Sequence, residues 1–337
     1  PASGIRAIGW WLADKTGLQQ ANTDTLDHNL GDLQHPVYVL NRDGAMVITS
    51  HGIANLGTVD CPDNAVPLIG YLPPLSLSQL GDTSFCNDYG IDLPYMTGSM
   101  ANGIASTRLV IAVAKAGLLA SFGAAGLTIK QIEQAIIELK KELPEKNYCF
   151  NLIHSPNEKG HEQAVVALYL QHGIRFVEAS AYMALTLPVV RYRLSGIHLD
   201  DLGNIVTPNR IIAKASRVEV ASRWLSPPPD KFITELLENG EITHEQVELA
   251  KRIPMAQDLT VEADSGGHTD NRPAITLLPT MIALRNRLQK QFNYSASLRI
   301  GAAGGIATPE SAAAAYALGA AYIVTGTINQ ACIESGS

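Results

Sequence analysis

The sequence predicts an α/β fold: a (β/α)₈ TIM barrel with a small N-terminal domain and an inserted, lid-like segment between strands 5 and 6. Three observations predict it. From about residue 92 onward, short apolar runs alternate with helix-period segments, the pattern of a parallel α/β architecture. The alternation repeats eight times in about 240 residues, the usual size of such a barrel. Glycine pairs stand at the ends of the last two strand candidates, where barrels of this kind hold phosphate groups.

The first strand candidate is 93–99, followed by a helix near 106–116. The second strand, 118–123, leads to a better-marked helix. Thr128 and Gln131 form a capping box there, and Ile129, Ile132, Ile136 and Leu139 recur on one face. Strand three is 148–153, with a helix over 161–171 ending at Gly173. Strand four is 174–180, with a helical stretch near 188–194, and the Asp200–Asn204 interval reads as the turn of a hairpin excursion. Strand five is 210–216, and its helix 218–225.

Pro227-Pro228-Pro229 opens the insertion, 227–257, which carries two helical pieces, the second capped by Thr243 with Gln246. A lid and a plain surface excursion are competing readings of it. Strand six is 259–264. Its helix carries Leu277, Met281, Leu284 and Leu288 on one stripe. Strand seven is 298–303, followed by a helix with Thr308 as cap and Pro309 in its first turn. Strand eight is 322–325, and only a short eighth helix fits before Ser337. The barrel is therefore expected over 91–337 and the N-terminal domain over 1–90. That domain shows a hairpin, 36–40 with 45–49, around an Asp43-Gly44 turn.

The 337 residues are 46% hydrophobic, enough to bury a large core, and carry 25 basic against 32 acidic side chains. A net charge of -7 argues against a nucleic-acid partner, which needs a basic face. It leaves room for a small anion held by backbone amides. Cys61, Cys86, Cys149 and Cys332 lack metal-like spacing and are too sparse for a disulfide framework. No apolar run is long enough to span a membrane, and residues 1–4 lack signal-peptide character. A soluble cytoplasmic protein without a metal is expected.

Gly304 and Gly305 end strand seven, and Gly326 and Thr327 end strand eight. Bare glycine backbone lets amide hydrogens approach phosphate oxygens, and the Thr327 hydroxyl adds a donor. The alternative is that the glycines only turn the chain. Gly266, Gly267 and His268 follow strand six. A flat ligand on the barrel mouth needs such glycines, and a histidine beside it can exchange a proton near neutral pH. A hydrogen-bonded structural histidine is the rival reading. Ser99, Met100 and Ala101 follow strand one, where small residues let a planar ring lie close to backbone. Asn151 on strand three could bond a flavin edge, and Lys214 on strand five could hold negative charge at the ring or phosphate. Both could equally belong to a structural network.

Four stretches carry a resemblance: Gly98 to Ser106, Glu178 to Tyr182, Glu262 to Pro273 and Gly301 to Ile306. Together they resemble the PfaD-type enoyl reductases. These are trans-acting reductases of bacterial polyketide and polyunsaturated fatty acid synthases, within the 2-nitropropane dioxygenase-like (nitronate monooxygenase) flavoproteins. The resemblance runs along the whole chain. It implies an FMN-dependent barrel that uses NADPH to reduce the α,β double bond of an enoyl thioester. The substrate would ride on the phosphopantetheine arm of an acyl carrier protein. By the same matching His268 is the catalytic histidine, and Gly304, Gly305, Gly326 and Thr327 hold the flavin phosphate. Met100, Ala101, Asn151 and Lys214 line the flavin. The resemblance also implies a helical C-terminal part beyond Ser337, and barrels of this kind often pair as homodimers.

In that reading hydride passes from NADPH through flavin to the β-carbon, and His268 protonates the α-carbon. Asn271, Arg272 or Lys214 would stabilise charge on the thioester oxygen. The alternatives are a nitronate monooxygenase-like oxidase, a non-catalytic flavin-binding or docking module of a synthase, and a flavin-free barrel for a nucleotide or sugar phosphate.

Overall fold

The computed structural model describes the chain except for residues 1–5, 14–18, 21–22, 58–61, 157, 159 and 265–269. It forms two compact units, Pro1–Gln79 and Leu80–Ser337.

The first unit is an antiparallel sheet of β1 (Gly9–Leu12), β2 (Gln19–Gln20), β3 (Val37–Arg42), β4 (Ala45–Thr49), β5 (Ile53–Leu56) and β6 (Val66–Leu72), with one helix, α1 (Thr23–Gly31). Its strand order is β2-β4-β3-β6-β1-β5. The β3–β4 hairpin turns at Asp43 and Gly44, with φ of 52° and 87°. Positive φ at both central residues matches the twist of the flanking strands, which is why Asp-Gly marks the turn. Trp11, Leu40 and Leu68 are buried at its centre.

In the second unit α2 (Thr83–Tyr89) precedes eight parallel strands that close into a barrel. These are β7 (Tyr95–Thr97), β8 (Leu119–Phe122), β9 (Cys149–Ile153), β10 (Phe176–Ser180), β13 (Arg210–Ala215), β14 (Asp258–Glu262), β15 (Arg299–Ala303) and β16 (Ile323–Thr325). The hairpin β11 (His198–Leu199) with β12 (Ile205–Val206) intervenes before β13. The outer helices are α3 (Thr107–Lys115), α4 (Ile129–Glu142), α5 (His161–Gln171), α6 (Leu187–Leu194), α7 (Val218–Trp224), α10 (Ala274–Phe292) and α11 (Pro309–Ala317). A 3₁₀ turn, Thr327–Ala331, takes the eighth helix's place.

Both capping boxes form, at Thr128 with Gln131 and at Thr243 with Gln246. The stripe of Leu277, Met281, Leu284 and Leu288 is buried. The segment after Pro227 folds as α8 (Asp230–Glu238) and α9 (His244–Ala250). These helices join the outer layer, α8 on α6 and α9 on β11. Ile233, Leu236, Leu249 and Ala250 enter the core that surrounds the barrel. The insertion is thus packed into the helical layer around the barrel.

Strand alternation separates two cores. Phe150, Val177, Ile211, Leu259 and Ile300 face the helices, whereas Met96, Leu119, Cys149, Ile212 and Tyr322 fill the lumen. Gly301 faces Tyr322 so closely that a Cβ there would enter its ring. The Tyr322 hydroxyl lies 3.0 Å from Thr260 Oγ1, and its ring stacks on Phe85 of α2 at 4.1 Å between centroids.

Below this layer, α2 seals the N-terminal end through charge. Arg299, wholly buried, donates from Nε to Asp258 Oδ1 at 2.6 Å and from Nη2 to Oδ2 at 3.0 Å. Its Nη1 reaches Ser84 at 2.9 Å, and the Tyr89 hydroxyl donates to Asp258 at 2.8 Å. Burial opposes the guanidinium charge, but Asp258 outweighs it and holds Arg299 above its ordinary pKa. Removing Asp258 would leave Arg299 with only the part-exposed Asp88, 2.7 Å away, and strip the Tyr89 hydroxyl of its acceptor. Asp258→Ala should therefore lower the unfolding free energy by about 3–5 kcal/mol. Urea unfolding checks this, and an unchanged midpoint would mean that the pair does not hold α2 in place.

Candidate active site

The C-terminal strand ends gather Ser99, Met100, Ala101, Asn151, Lys214, Gly304, Gly305, Gly326 and Thr327 around a buried charged layer. Inward positions on neighbouring strands place Asn151, Glu178, Lys214 and Glu262 just under the mouth. Glu178 is wholly buried. Its Oε2 accepts the Ser99 backbone N–H at 2.7 Å, and its Oε1 lies 3.4 Å from Lys214 Nζ. Lys214 Nζ also lies 3.0 Å from Glu262 Oε1. Gly98 makes the crossing possible: a Cβ there would sit 2.8 Å from Val324 Cγ1 and 3.3 Å from Glu178 Oε1. Burial by itself would lower the Lys214 pKa, but Glu178 and Glu262 outweigh it and hold the ammonium above its ordinary value. Two carboxylates share one cation, so Lys214 is engaged before any ligand arrives.

Asn151 is buried, and its amide N–H groups donate to the Glu178 carbonyl at 3.1 Å and to Ser180 Oγ at 3.0 Å. Its donors are thus engaged in the barrel wall, which leaves Oδ1 as the group it could offer a ligand. The loop after β7 folds against β8. Asn102 N–H donates to the Ala125 carbonyl at 2.7 Å, and a Cβ at Gly123 would collide with the Met100 carbonyl. Ser99 and Met100 are half-buried there, and Ala101 is exposed.

Because β15 and β16 pair with Ala303 opposite Val324, Gly304 and Gly305 lie on the strand end beside Gly326 and Thr327. Gly304 has φ 96°, and a Cβ on it would stand 2.7 Å from the Ala263 carbonyl oxygen. Gly305 (φ 70°) and Gly326 face open space. Buried Asn329 donates to the Thr325 carbonyl at 3.1 Å and fixes the turn that carries Gly326 and Thr327.

Gly266, Gly267 and His268 lie outside the described residues. Their flanks are closed from two sides. Asp264 N–H donates to the Arg272 carbonyl at 2.9 Å. Asp270 accepts from Ser216 Oγ at 2.7 Å and from Arg217 Nε and Nη2 at 2.8 and 2.7 Å. The hydrogen bonds from Arg217, then Ser216, hold the Asp270 carboxyl well below the usual carboxylate range.

Sequence reasoning assigned no role to Glu178, Glu262, Asp270 or Asn329. It also passed over His154 at the end of β9. His154 Nδ1 lies 2.9 Å from Glu162 Oε2, while Glu162 Oε1 accepts from the Tyr182 hydroxyl at 2.9 Å and from Thr186. Only the short range between His154 and Glu162 was a signal, because α5 returns its first turn to the strand end it has just left.

Similarity to known proteins places the chain. Residues 89–337 match the nitronate monooxygenase family. The chain belongs to that family. Among its relatives, a polyunsaturated fatty acid synthase subunit of Thraustochytrium sp. is 44% identical over 321 residues, covering 95% of this chain and 21% of that protein. The polyketide biosynthesis protein PksE of Bacillus subtilis is 42% identical over 264 residues, 78% of this chain and 34% of that one. This family member thus spans a fifth to a third of the length of those two relatives. The enoyl reductase domain of MlnA from the macrolactin biosynthesis cluster of Bacillus amyloliquefaciens superposes with a TM-score of 0.75. It is 41% identical over 78% of this chain and 59% of its own. The eight-stranded barrel is therefore a shared architecture.

Lys214→Met would leave Glu178 and Glu262 facing each other without a cation, and one carboxyl should take up a proton. A carboxyl whose folded pKa is raised gives stability below its unfolded pKa that is lost as pH rises through the folded value. The variant should thus lose stability between about pH 5 and pH 8 relative to the parent, by about 1.4 kcal/mol per pKa unit gained. Urea unfolding at both pH values reads this, and parallel curves would refute it. Separately, Gly304→Ala should destabilise more than Gly305→Ala. Both force a left-handed backbone, at about 1–2 kcal/mol, but only the first adds a collision, at about 1–3 kcal/mol. Equal thermal shifts would contradict the packing at Gly304.

Proposed function

We propose that this chain is an FMN-dependent enoyl reductase that reduces the α,β double bond of enoyl thioesters on an acyl carrier protein with NADPH. The setting would be polyketide or polyunsaturated fatty acid synthesis. The observation that carries the reading is the 41% identity to the MlnA enoyl reductase domain across 78% of the chain. The names of the curated relatives, a fatty acid synthase subunit and a polyketide biosynthesis protein, support the setting.

The residues at the mouth fit FMN. A phosphate suits adjacent glycine turns at Gly304-Gly305 and Gly326-Thr327, where Gly305 and Gly326 face open space and backbone amides supply donors without charge. A planar ring suits the loop of Ser99, Met100 and Ala101, and Lys214 would meet the ring's electron-rich edge. When bound, FMN supplies a hydride relay from NADPH to the β-carbon of the thioester. The chain's own residues do the rest. Glu178 and Glu262 hold Lys214 in place, and Glu178 fixes the Ser99 amide, so this side of the mouth is set before ligand enters. His268, with Gly266 and Gly267, is proposed as the acid that protonates the α-carbon, and the Asp270 clasp to Ser216 and Arg217 anchors the chain leaving it. Asn271 or Arg272, on that same exit, would steady the thioester oxygen, since Lys214 is already held by two carboxylates.

The test is an anaerobic absorbance experiment with the parent and His268→Ala. Both should bind FMN equally and bleach with NADPH. The parent should recover its flavin spectrum on addition of a crotonyl thioester, and the variant about 10²–10⁴-fold more slowly. Bleaching by a nitronate with recovery on oxygen, and no recovery with the thioester, would replace the proposal by a nitronate oxidase. Protein that takes up no FMN would overturn both.

A further inference from the structure

At the N-terminal end of the barrel, opposite the mouth, lies a cavity of about 440 Å³ lined by Arg193, Arg210, Arg252, Arg299, Asp88 and Asp200 among others. Charge within it is unevenly matched. Asp88 Oδ2 is held by Arg210 Nη1 at 2.8 Å and by Arg299 Nη2 at 2.7 Å. Asp200 is engaged by its own turn, accepting from Leu202 N–H at 2.9 Å and Asn204 N–H at 2.8 Å. Asp88, Arg210 and Arg299 therefore match one another in charge, whereas Asp200 is held by neutral donors and keeps its negative charge at the wall.

Arg193 has no such match. It is only 2% exposed, near the C-terminal end of α6. Its Nε donates to the Pro254 carbonyl at 3.1 Å and Nη1 to the Asn209 carbonyl at 2.8 Å. Among the described residues no carboxylate pairs with it, so three of the five guanidinium donors have only the cavity to meet. Burial, reinforced by Arg210, lowers its pKa to about 10, in the direction expected of a cation without a counterion. The end of the α6 helix offsets part of the charge, but only a fraction of a unit. Arg252, exposed at the rim of the same cavity, supplies a second cation with no ion-pair partner among the described residues.

The geometry points to an anion-binding site in this cavity, taking a phosphate dianion, either free or as a phosphomonoester. A buried guanidinium presents paired N–H donors that suit phosphate oxygens, and Arg193 with Arg252, set against Asp200, leave the wall net positive. The volume leaves room beyond the phosphate for a short ester substituent. This site is separate from the glycine turns at the other end of the barrel and does not depend on the proposed reaction.

Calorimetric titration at constant ionic strength tests it, on protein loaded with FMN at the opposite mouth and then freed of unbound FMN. Inorganic phosphate and glycerol phosphate should each be offered to the parent, Arg193→Met and Arg252→Glu. Saturable millimolar or tighter binding by the parent is expected, weakened at least about tenfold in Arg252→Glu and lost in Arg193→Met. Tighter binding of glycerol phosphate identifies a phosphomonoester, and preference for inorganic phosphate a free oxyanion. Absence of saturable binding in the parent, or binding that both variants retain, would overturn the proposal. Should Arg193→Met fail to fold, Arg252→Glu decides alone, because that side chain is exposed.

Discussion

Closing eight parallel strands into a ring obliges every second side chain to share one narrow lumen, and the rest of the barrel follows from how that space is filled. At the N-terminal end it is filled by an ion pair, Arg299 with Asp258, under the lid of α2. In the middle Met96, Leu119, Cys149, Ile212 and Tyr322 fill it, Tyr322 occupying the room that Gly301 leaves. Towards the mouth, Glu178, Lys214 and Glu262 take over. Each layer constrains the next. Tyr322 stacks on Phe85 below, and Glu178 reaches the β7 loop above only because Gly98 has no side chain. Rigidity at the mouth is thus inherited from a packed interior rather than made by the loops themselves.

Most of the barrel was legible because its signals are local. Thr128 with Gln131 and Thr243 with Gln246 cap helices within four residues, and Leu277, Met281, Leu284 and Leu288 repeat along one face. The Asp43-Gly44 hairpin was equally plain. The rest of the N-terminal sheet was not, because β1, β5 and β6 pair across long separations and β5 is largely exposed, so no clean alternation marks it. Helix α2 falls before the alternation begins, yet it belongs to the barrel unit because Phe85 and Tyr89 pack into the lumen.

The candidate site divides along the same line. Glycine positions could be read directly, since Gly304 and Gly305 adopt backbone angles that favour glycine. Lys214 and Asn151 could be named but not explained. Their partners sit on other strands, and register alone brings Glu178 beside Asn151. Asn151 is the instructive case: its donors are engaged with β10, so the structural network that competed with a ligand role accounts for its N–H groups.

The electrostatics of the mouth bear on how an acidic chain could hold an anionic cofactor. Lys214 is the cation of the buried layer, but Glu178 and Glu262 surround it with two negative charges for its one positive. A ligand phosphate approaching that lysine would meet a net repulsive cluster. The glycine turns of β15 and β16 offer the opposite: backbone amides with no carboxylate to displace and open space at Gly305 and Gly326. The division of labour follows from this contrast. A ligand phosphate would therefore suit the backbone at one side of the mouth. Lys214, steadied by its carboxylates, suits a polar ring edge, whose partial charge is too small for Glu178 and Glu262 to drive away.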